Sequence, residues 1–268
     1  MKSIALATVL AFAAGAVAAD AVKIAVGQPG RGYEARGKVM ATRLEQRGTP
    51  AEVVNYEGSD AISLAVCDGR ATMGIMQIDA IFARGAEGCD LKTIGSYGDE
   101  YAFLLFPPDS RANELDDLGK GDRVLVDTVG SGTELFWRTI VGIETGDHGN
   151  KSRWSEATPV YDLTVLADTL ASEDKIDALL VVGIPNNEEV LTLIEKGWEL
   201  GELYDKDIND MQFRDADLYK RERVEIEVPG KWRPLRNDAY VVPSFIVITE
   251  DTATADMDTY RNMVAAAQ

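Results

Sequence analysis

Apolar and polar residues alternate over Val22–Val26, and Gly27 follows, which predicts a strand. Gly30-Arg31-Gly32 reads as a glycine turn. Tyr33–Gln46 then carries apolar residues at helical spacing, with Val39, Met40 and Leu44 inward and Gly48 and Pro50 as the stop. Glu52–Tyr56 predicts a second strand. Ser59 is placed as the cap of a helix running through Cys67 to Gly69. Ala71–Gln77 predicts a third strand, and Asp79 is placed as the cap of a helix to Arg84, before Gly85. Three strand–helix units in succession argue for a parallel sheet with helices on both faces.

The apolar run Tyr101–Phe106 stops at Pro107-Pro108, which reads as the passage into a second domain. The pattern then restarts. Arg123–Asp127 predicts a strand, Val129–Gly132 a turn, Thr133–Ile143 a helix, Asp162–Leu170 a helix and Ile176–Val182 a buried strand. Asn187 caps a helix with Glu188 and Glu189 in its first turn, closed by Gly197. Val224–Val228 alternates as a half-exposed strand. Phe245–Thr249 predicts a last strand, followed by a helix to about Ala265, the pair returning to the first unit. The expected division is 20–108 with about 230–268 as one lobe, and 109–229 as the other.

The first nineteen residues carry a different pattern. Met1-Lys2-Ser3 is a short cationic start, Ile4–Val17 is apolar, and Ala16–Ala19 supplies small residues before Asp20. This reads as a secretory signal peptide cut after Ala19 or Ala18. The apolar run is shorter than the roughly 20 residues of a spanning helix. The expected location is therefore periplasmic. In an oxidising compartment the two cysteines, Cys67 and Cys89, are expected to form one disulfide, the alternative being two buried thiols.

Composition narrows the chemistry. One His and two Cys exclude a zinc site built from such residues, and a Ser-His-Asp hydrolase would rest on His148 alone, in a loop-like stretch that reads as surface. With 27 Lys+Arg against 45 Asp+Glu, the net charge of −18 excludes nucleic acid as a partner, because phosphate binding needs a concentrated basic face. No cofactor motif is present: Gly130-Ser131-Gly132 lacks the third glycine of a dinucleotide fingerprint, since Leu135 holds that position.

The candidate chemistry lies in two glycine-rich turns, Gly27–Tyr33 and Gly130–Glu134, each leading from a strand into a helix. In open α/β sheets ligands bind at such strand ends. A helix start offers unpaired N–H groups and the positive end of its dipole. Two such ends facing each other across a cleft make an anion site, with Arg31 and Arg36 correcting an acidic protein's field and the Ser131 and Thr133 hydroxyls adding donors. The ordinary alternative for each turn is a tight connection.

The order of motifs resembles the TAXI family of extracytoplasmic solute-binding proteins, which serve tripartite ATP-independent periplasmic (TRAP) transporters. The matching segments are Gly30–Ala35, Glu57-Gly58-Ser59-Asp60, Gly74–Asp79, Gly130–Glu134, Lys175–Ala178 continuing to Gly183-Ile184-Pro185, and Val242–Ile248. The resemblance implies a type II periplasmic-binding fold: two α/β lobes, a hinge and an interlobe cleft. It also implies a carboxylate-bearing ligand, an amino acid or organic acid. Departures at Glu34, Ala61, Ile62 and Ile78 alter polar groups near the expected cleft, so glutamate itself is not carried over. Glu34 is expected to face solvent, or else to favour a cationic or hydroxyl-bearing ligand group.

The expected ligand-binding residues are Gln28, Gly30, Arg31, Gly32, Tyr33, Ser59, Gln77, Asp79, Ser131, Gly132, Thr133 and Gly183. Trp232 is a further residue able to line the cleft. The expected partners are a small-molecule ligand and the membrane subunits of a TRAP-type transporter, with the protein monomeric and not an enzyme. An ATP-driven (ABC) importer or a membrane sensor kinase is the alternative partner. An enzyme with Ser131 as nucleophile lacks an identifiable base.

Overall fold

A computed structural model describes residues 20–146 and 151–268; the signal-peptide reading of 1–19 and the reading of His148 lie outside the described residues. The first half runs β1 (Val22–Val26), α1 (Gly32–Gln46), β2 (Ala51–Asn55), α2 (Ser59–Cys67), β3 (Met73–Gln77), α3 (Ile78–Ala86) and the long β4 (Leu91–Phe106). It continues with β5 (Arg123–Leu125), α4 (Gly132–Thr145), β6 (Thr158–Val160), α5 (Ala167–Ser172), β7 (Ala178–Gly183), α6 (Glu188–Glu195) and β8 (Glu199–Gly201). The remainder is α7 (Lys206–Asp210), the short strands β9 (Gln212–Phe213) and β10 (Ala216–Asp217), β11 (Lys220–Ile226), the long β12 (Leu235–Thr249), α8 (Glu250–Ala255) and α9 (Met257–Ala267).

The main sheet follows the order β2-β1-β3-β12-β4-β7-β5-β6, with β11 on β12 and β8 on β4. The strand–helix units produce two parallel groups, β2-β1-β3 and β7-β5-β6. Two antiparallel strands join them. β12 pairs with β3 at Ser244–Val247, β4 pairs with β12 from Leu91 to Ala102, and β4 pairs with β7 from Tyr101 to Leu105. Both long strands therefore belong to both halves, and the pairing with β7 begins before Pro107.

Strand alternation places apolar residues on both faces of each half. Ala102, Leu104 and Phe106 pack on one side with Trp137, Trp154 and Tyr240, while Phe103 and Leu105 pack on the other with Leu179, Val190 and Trp198. In the other half Ile24, Val26, Ile246 and Ile248 pack against Met40 and Leu44, and Ala25 and Val247 face Ile62 and Val66. Each half is thus a sheet covered on both faces, with its own apolar interior.

Several sequence expectations are corrected. Val39 is 45 % exposed, because the buried stripe of α1 is Gly37, Met40 and Leu44, and a residue adjacent to Met40 turns away from it. Ser59 is the first helical residue of α2, and Gly58 precedes it; its hydroxyl instead accepts from the Gln77 N–H at 3.3 Å. Gln77, not Asp79, occupies the cap position of α3. The expected helix over Asp162–Leu170 is a single tight turn at Thr164–Leu166 followed by α5. Asn187 does cap α6, its side chain accepting from the Glu189 N–H. Trp232 is 85 % exposed, stacked with Arg233 outside the cavity described below.

Cys67 and Cys89 are joined, 22 residues apart in sequence, tying the end of α2 to the segment entering β4. No helix among the described residues is long and apolar enough to cross a membrane. A closed loop of that size restricts the unfolded chain by about 2–4 kcal/mol. Replacing both cysteines with Ser is expected to lower the stability measured by urea denaturation by about that amount, while leaving the far-UV circular dichroism spectrum unchanged.

Candidate functional site

A cavity of about 400 Å³ lies where the two halves of the sheet meet. The carboxyl ends of β1 and β3 and the starts of α1 and α2 build one wall. The turn before α4, the end of β7 and the start of α6 build the other. Of the expected residues, Gln28, Arg31, Gly32, Tyr33, Ser59, Gln77, Ser131, Gly132, Thr133 and Gly183 line this cavity. Gly30 and Asp79 do not. Gly30, at φ +81°, lies outside the lining, and Asp79 is fully buried, its Oδ1 accepting from the Tyr219 hydroxyl at 2.7 Å.

The two glycine turns face each other as expected, and one amide of each is already taken by a glutamate of its own helix. Glu34 Oε2 accepts from the Gly30 N–H at 2.9 Å, and Glu134 Oε2 accepts from the Gly130 N–H at 3.1 Å. Ser131 Oγ accepts from the Glu134 N–H at 3.1 Å, so Ser131 and Glu134 form a variant of the reciprocal capping box. Thr133 Oγ1 accepts from the Val182 N–H at 3.0 Å and ties α4 to β7. Glu34 points neither to solvent nor to the ligand space. It lies against Gly30 and Lys38, and the Gly30 N–H holds its carboxyl below the usual range. Arg36 donates to the Ala267 carbonyl at 2.7 Å and so does not reach the cavity.

The inner end of the cavity is organised around Glu100, a residue the sequence reading missed. Its Oε2 lies 2.8 Å from the Tyr33 hydroxyl, 2.8 Å from Ser244 Oγ and 3.0 Å from Gln77 Nε2. The Tyr33 and Ser244 hydroxyls are 2.7 Å apart. Tyr97 packs edge-on against Tyr33 with ring centroids 4.8 Å apart. Burial, then the Glu100 charge, raises the phenol pKa of both tyrosines, so they are neutral donors. Three further carboxylates, Glu57, Asp127 and Glu189, and one guanidinium, Arg31, complete the charged lining. Burial raises the Asp127 pKa; the Thr128 N–H opposes this.

The walls touch at glycines. A β-carbon on Gly58 would collide with the Gly130 carbonyl oxygen, and one on Gly132 would collide with the Gln77 amide. Nearby, Asp60 of α2 bridges Arg84 at 3.2 Å and Arg138 of α4 at 3.0 Å. The structure is therefore a state in which the starts of α2 and α4 are in van der Waals contact.

No family model matches the chain, and no curated protein matches it in sequence. The fold is similar to that of solved binding proteins. One is the GluR0 ligand-binding core in complex with L-glutamate, at 16 % identity and a TM-score of 0.52, covering 92 % of each chain. A second is the alkanesulfonate-binding protein SsuA from Xanthomonas axonopodis pv. citri bound to MOPS. It has 16 % identity and a TM-score of 0.51, covering 92 % of this chain and 71 % of that one. A third is the periplasmic aliphatic sulphonate binding protein SsuA from Escherichia coli, at 15 % identity and a TM-score of 0.52, covering 93 % and 72 %. At these identities the likeness establishes the fold, a type II periplasmic-binding architecture of two α/β lobes.

Two predictions come from this geometry. Desolvation pushes the Asp79 carboxyl up to about 7 from 3.8. Between those values the folded protein keeps a proton that the unfolded chain has lost, so this group's contribution to stability falls as pH rises and is gone above about pH 7. Asp79→Asn is expected to remove that slope, so that its stability relative to the parent improves from pH 4 to pH 7 by up to about 1.4 kcal/mol per unit, measured by urea denaturation. Gly58→Ala is expected to hold the two walls apart, read as a larger radius of gyration in small-angle X-ray scattering with an unchanged circular dichroism spectrum.

Proposed function

We propose that this protein is an extracytoplasmic receptor that captures a small organic molecule in the cavity between its lobes and delivers it to a membrane transporter. The single observation that carries the reading is the cavity itself. It is lined from both halves, at the strand ends where α/β sheets bind ligands, and among the described residues β4 and β12 are the strands that run on through the seam. The solved binding proteins that share the fold support it. In this reading residues 1–19 are a cleaved leader, 20–108 with about 230–268 form one lobe and 109–229 the other, except that the end of β4 from Tyr101 and the start of β12 pack with the second lobe.

Closure supplies the mechanism. A ligand that contacts both walls stabilises the state in which they meet, by as much as its affinity differs between open and closed forms. The glycine contacts between α2 and α4 permit that approach. The transporter assignment, to TRAP-type membrane subunits, rests on the motif order from Gly30 to Ile248. The resemblance also suggests a carboxylate on the ligand, and Arg31 is the cationic side chain of the wall available to it.

The test is native mass spectrometry of the protein prepared from the periplasm without denaturation, followed by scattering with and without the released compound. The expected result is one small organic molecule per chain and a smaller radius of gyration in its presence. A chain that carries nothing, and whose scattering is unmoved by a panel of amino acids and organic acids, would falsify the reading.

A further inference from the structure

From the inner end of the cavity we infer that the ligand enters with an ammonium group foremost, held by Glu100, so that the receptor takes an amine or a zwitterion rather than a simple organic anion. The inference rests on the receptor reading above and names the class of its ligand.

The cavity wall holds four carboxylates, Glu57, Glu100, Asp127 and Glu189, against the single guanidinium of Arg31. None of these four carboxylates forms an ion pair among the described residues; every ion pair of the described chain lies elsewhere. An anion brought into this space meets uncompensated like charge in a partly desolvated setting, where the repulsion is stronger than in water.

The hydrogen-bond count agrees. Three donors at the inner end are already committed: the Tyr33 and Ser244 hydroxyls and the Gln77 Nε2 all lie against one oxygen, Glu100 Oε2, which leaves the Tyr97 hydroxyl as the further donor beside them. Acceptors are left over. Glu100 Oε1 accepts from no described residue. Gln77 is 3 % exposed and its Oε1, turned away when Nε2 faces Glu100, is buried with no donor. The Gln77 oxygen is enclosed against Gly132, so Glu100 Oε1 is the acceptor left for the ligand, and an N–H donor answers it where a carboxylate does not. The walls beside Glu100 are the rings of Tyr33 and Tyr97, whose faces attract an organic cation.

A metal ion is the other cation to consider. Among the described residues no group of three or more His, Cys, Asp or Glu side chains is arranged to hold one. The organic cation therefore fits the site better. Arg31 is solvent-exposed at the outer end of the same cavity. A ligand with an ammonium inward and a carboxylate outward satisfies both ends, and Glu100 is the residue that distinguishes it from a dicarboxylate.

Three four-carbon compounds test this directly: putrescine with two ammonium groups, 4-aminobutyrate with one ammonium and one carboxylate, and succinate with two carboxylates. Each is titrated at neutral pH into the full mature chain after bound ligand is removed, with melting temperature and calorimetry as readouts. The expected result is stabilisation by 4-aminobutyrate and putrescine, none by succinate, and at least tenfold weaker amine binding in Glu100→Gln. The preference among the three in the parent protein decides the matter even if that variant folds poorly. Binding of succinate as tightly as the amines, or unchanged amine affinity in a folded Glu100→Gln variant, overturns the ammonium assignment and leaves the receptor reading in place. Absence of binding by all three also overturns it, and the native mass spectrum then judges the receptor reading separately.

Discussion

One carboxylate oxygen organises the centre of this molecule. Glu100 Oε2 gathers Tyr33 from the start of α1, Gln77 from the end of β3 and Ser244 from the middle of β12. Glu100 itself sits on β4, one residue before that strand begins to pair with β7. The contact thus lies where one lobe's sheet passes into the other's. A charge-assisted hydrogen bond is about twice as strong as a neutral one, and three donors on one oxygen fix the orientation of three side chains at once. The Gln77 amide, whose two ends are otherwise equivalent in shape, has its polarity set by this neighbour. The irregular ladder supports the arrangement. Register shifts between Ser244 and Phe245, opposite Gly98 at φ +151°, a backbone that favours glycine.

Around this fixed point the two glycine turns carry a steric task as well as lining the cavity. Each is stabilised by its own glutamate, Glu34 on the Gly30 N–H and Glu134 on the Gly130 N–H. One N–H of each turn is thus occupied before any ligand arrives. Glycine remains necessary at Gly58 and Gly132 for a steric reason, since a side chain there would collide with the opposite wall. The small residues of these turns therefore allow contact between the two walls.

The legible part of the fold was the part whose signals are local. Val22–Val26, the Gly30–Gly32 turn and the Asn187 cap each announce themselves within a few residues. The turns also pointed to the cavity, because strand ends that precede helices converge in any sheet of this kind. The first ten residues of β4 were illegible, since Lys92, Thr93, Gly95, Ser96, Gly98 and Asp99 carry no apolar alternation. They become a strand only by pairing with β12, some 150 residues later. Glu100 was hidden for the same reason. One signal for it was present: Ser244, fully buried, interrupts the apolar run around it, and a buried hydroxyl needs a partner. The self-capping of α4 was also readable, as Ser131 three residues before Glu134.

The charge of the whole chain gains a meaning from the cavity. At −18 the protein's field repels anions and draws cations toward its surface. For a ligand bearing only carboxylates that field opposes approach, and the cavity wall, formally negative, opposes it again at short range. For a ligand that presents an ammonium group the two act in the same direction. Long-range attraction concentrates the molecule near the cleft, and Glu100, already oriented by three donors, meets it without rearranging. Arg31 then stands at the outer end, where a single guanidinium favours a carboxylate without cancelling the charge within. An acidic chain with one arginine at the mouth of an acidic cavity is, by this reasoning, arranged to sort small molecules by the charge of the end that enters first.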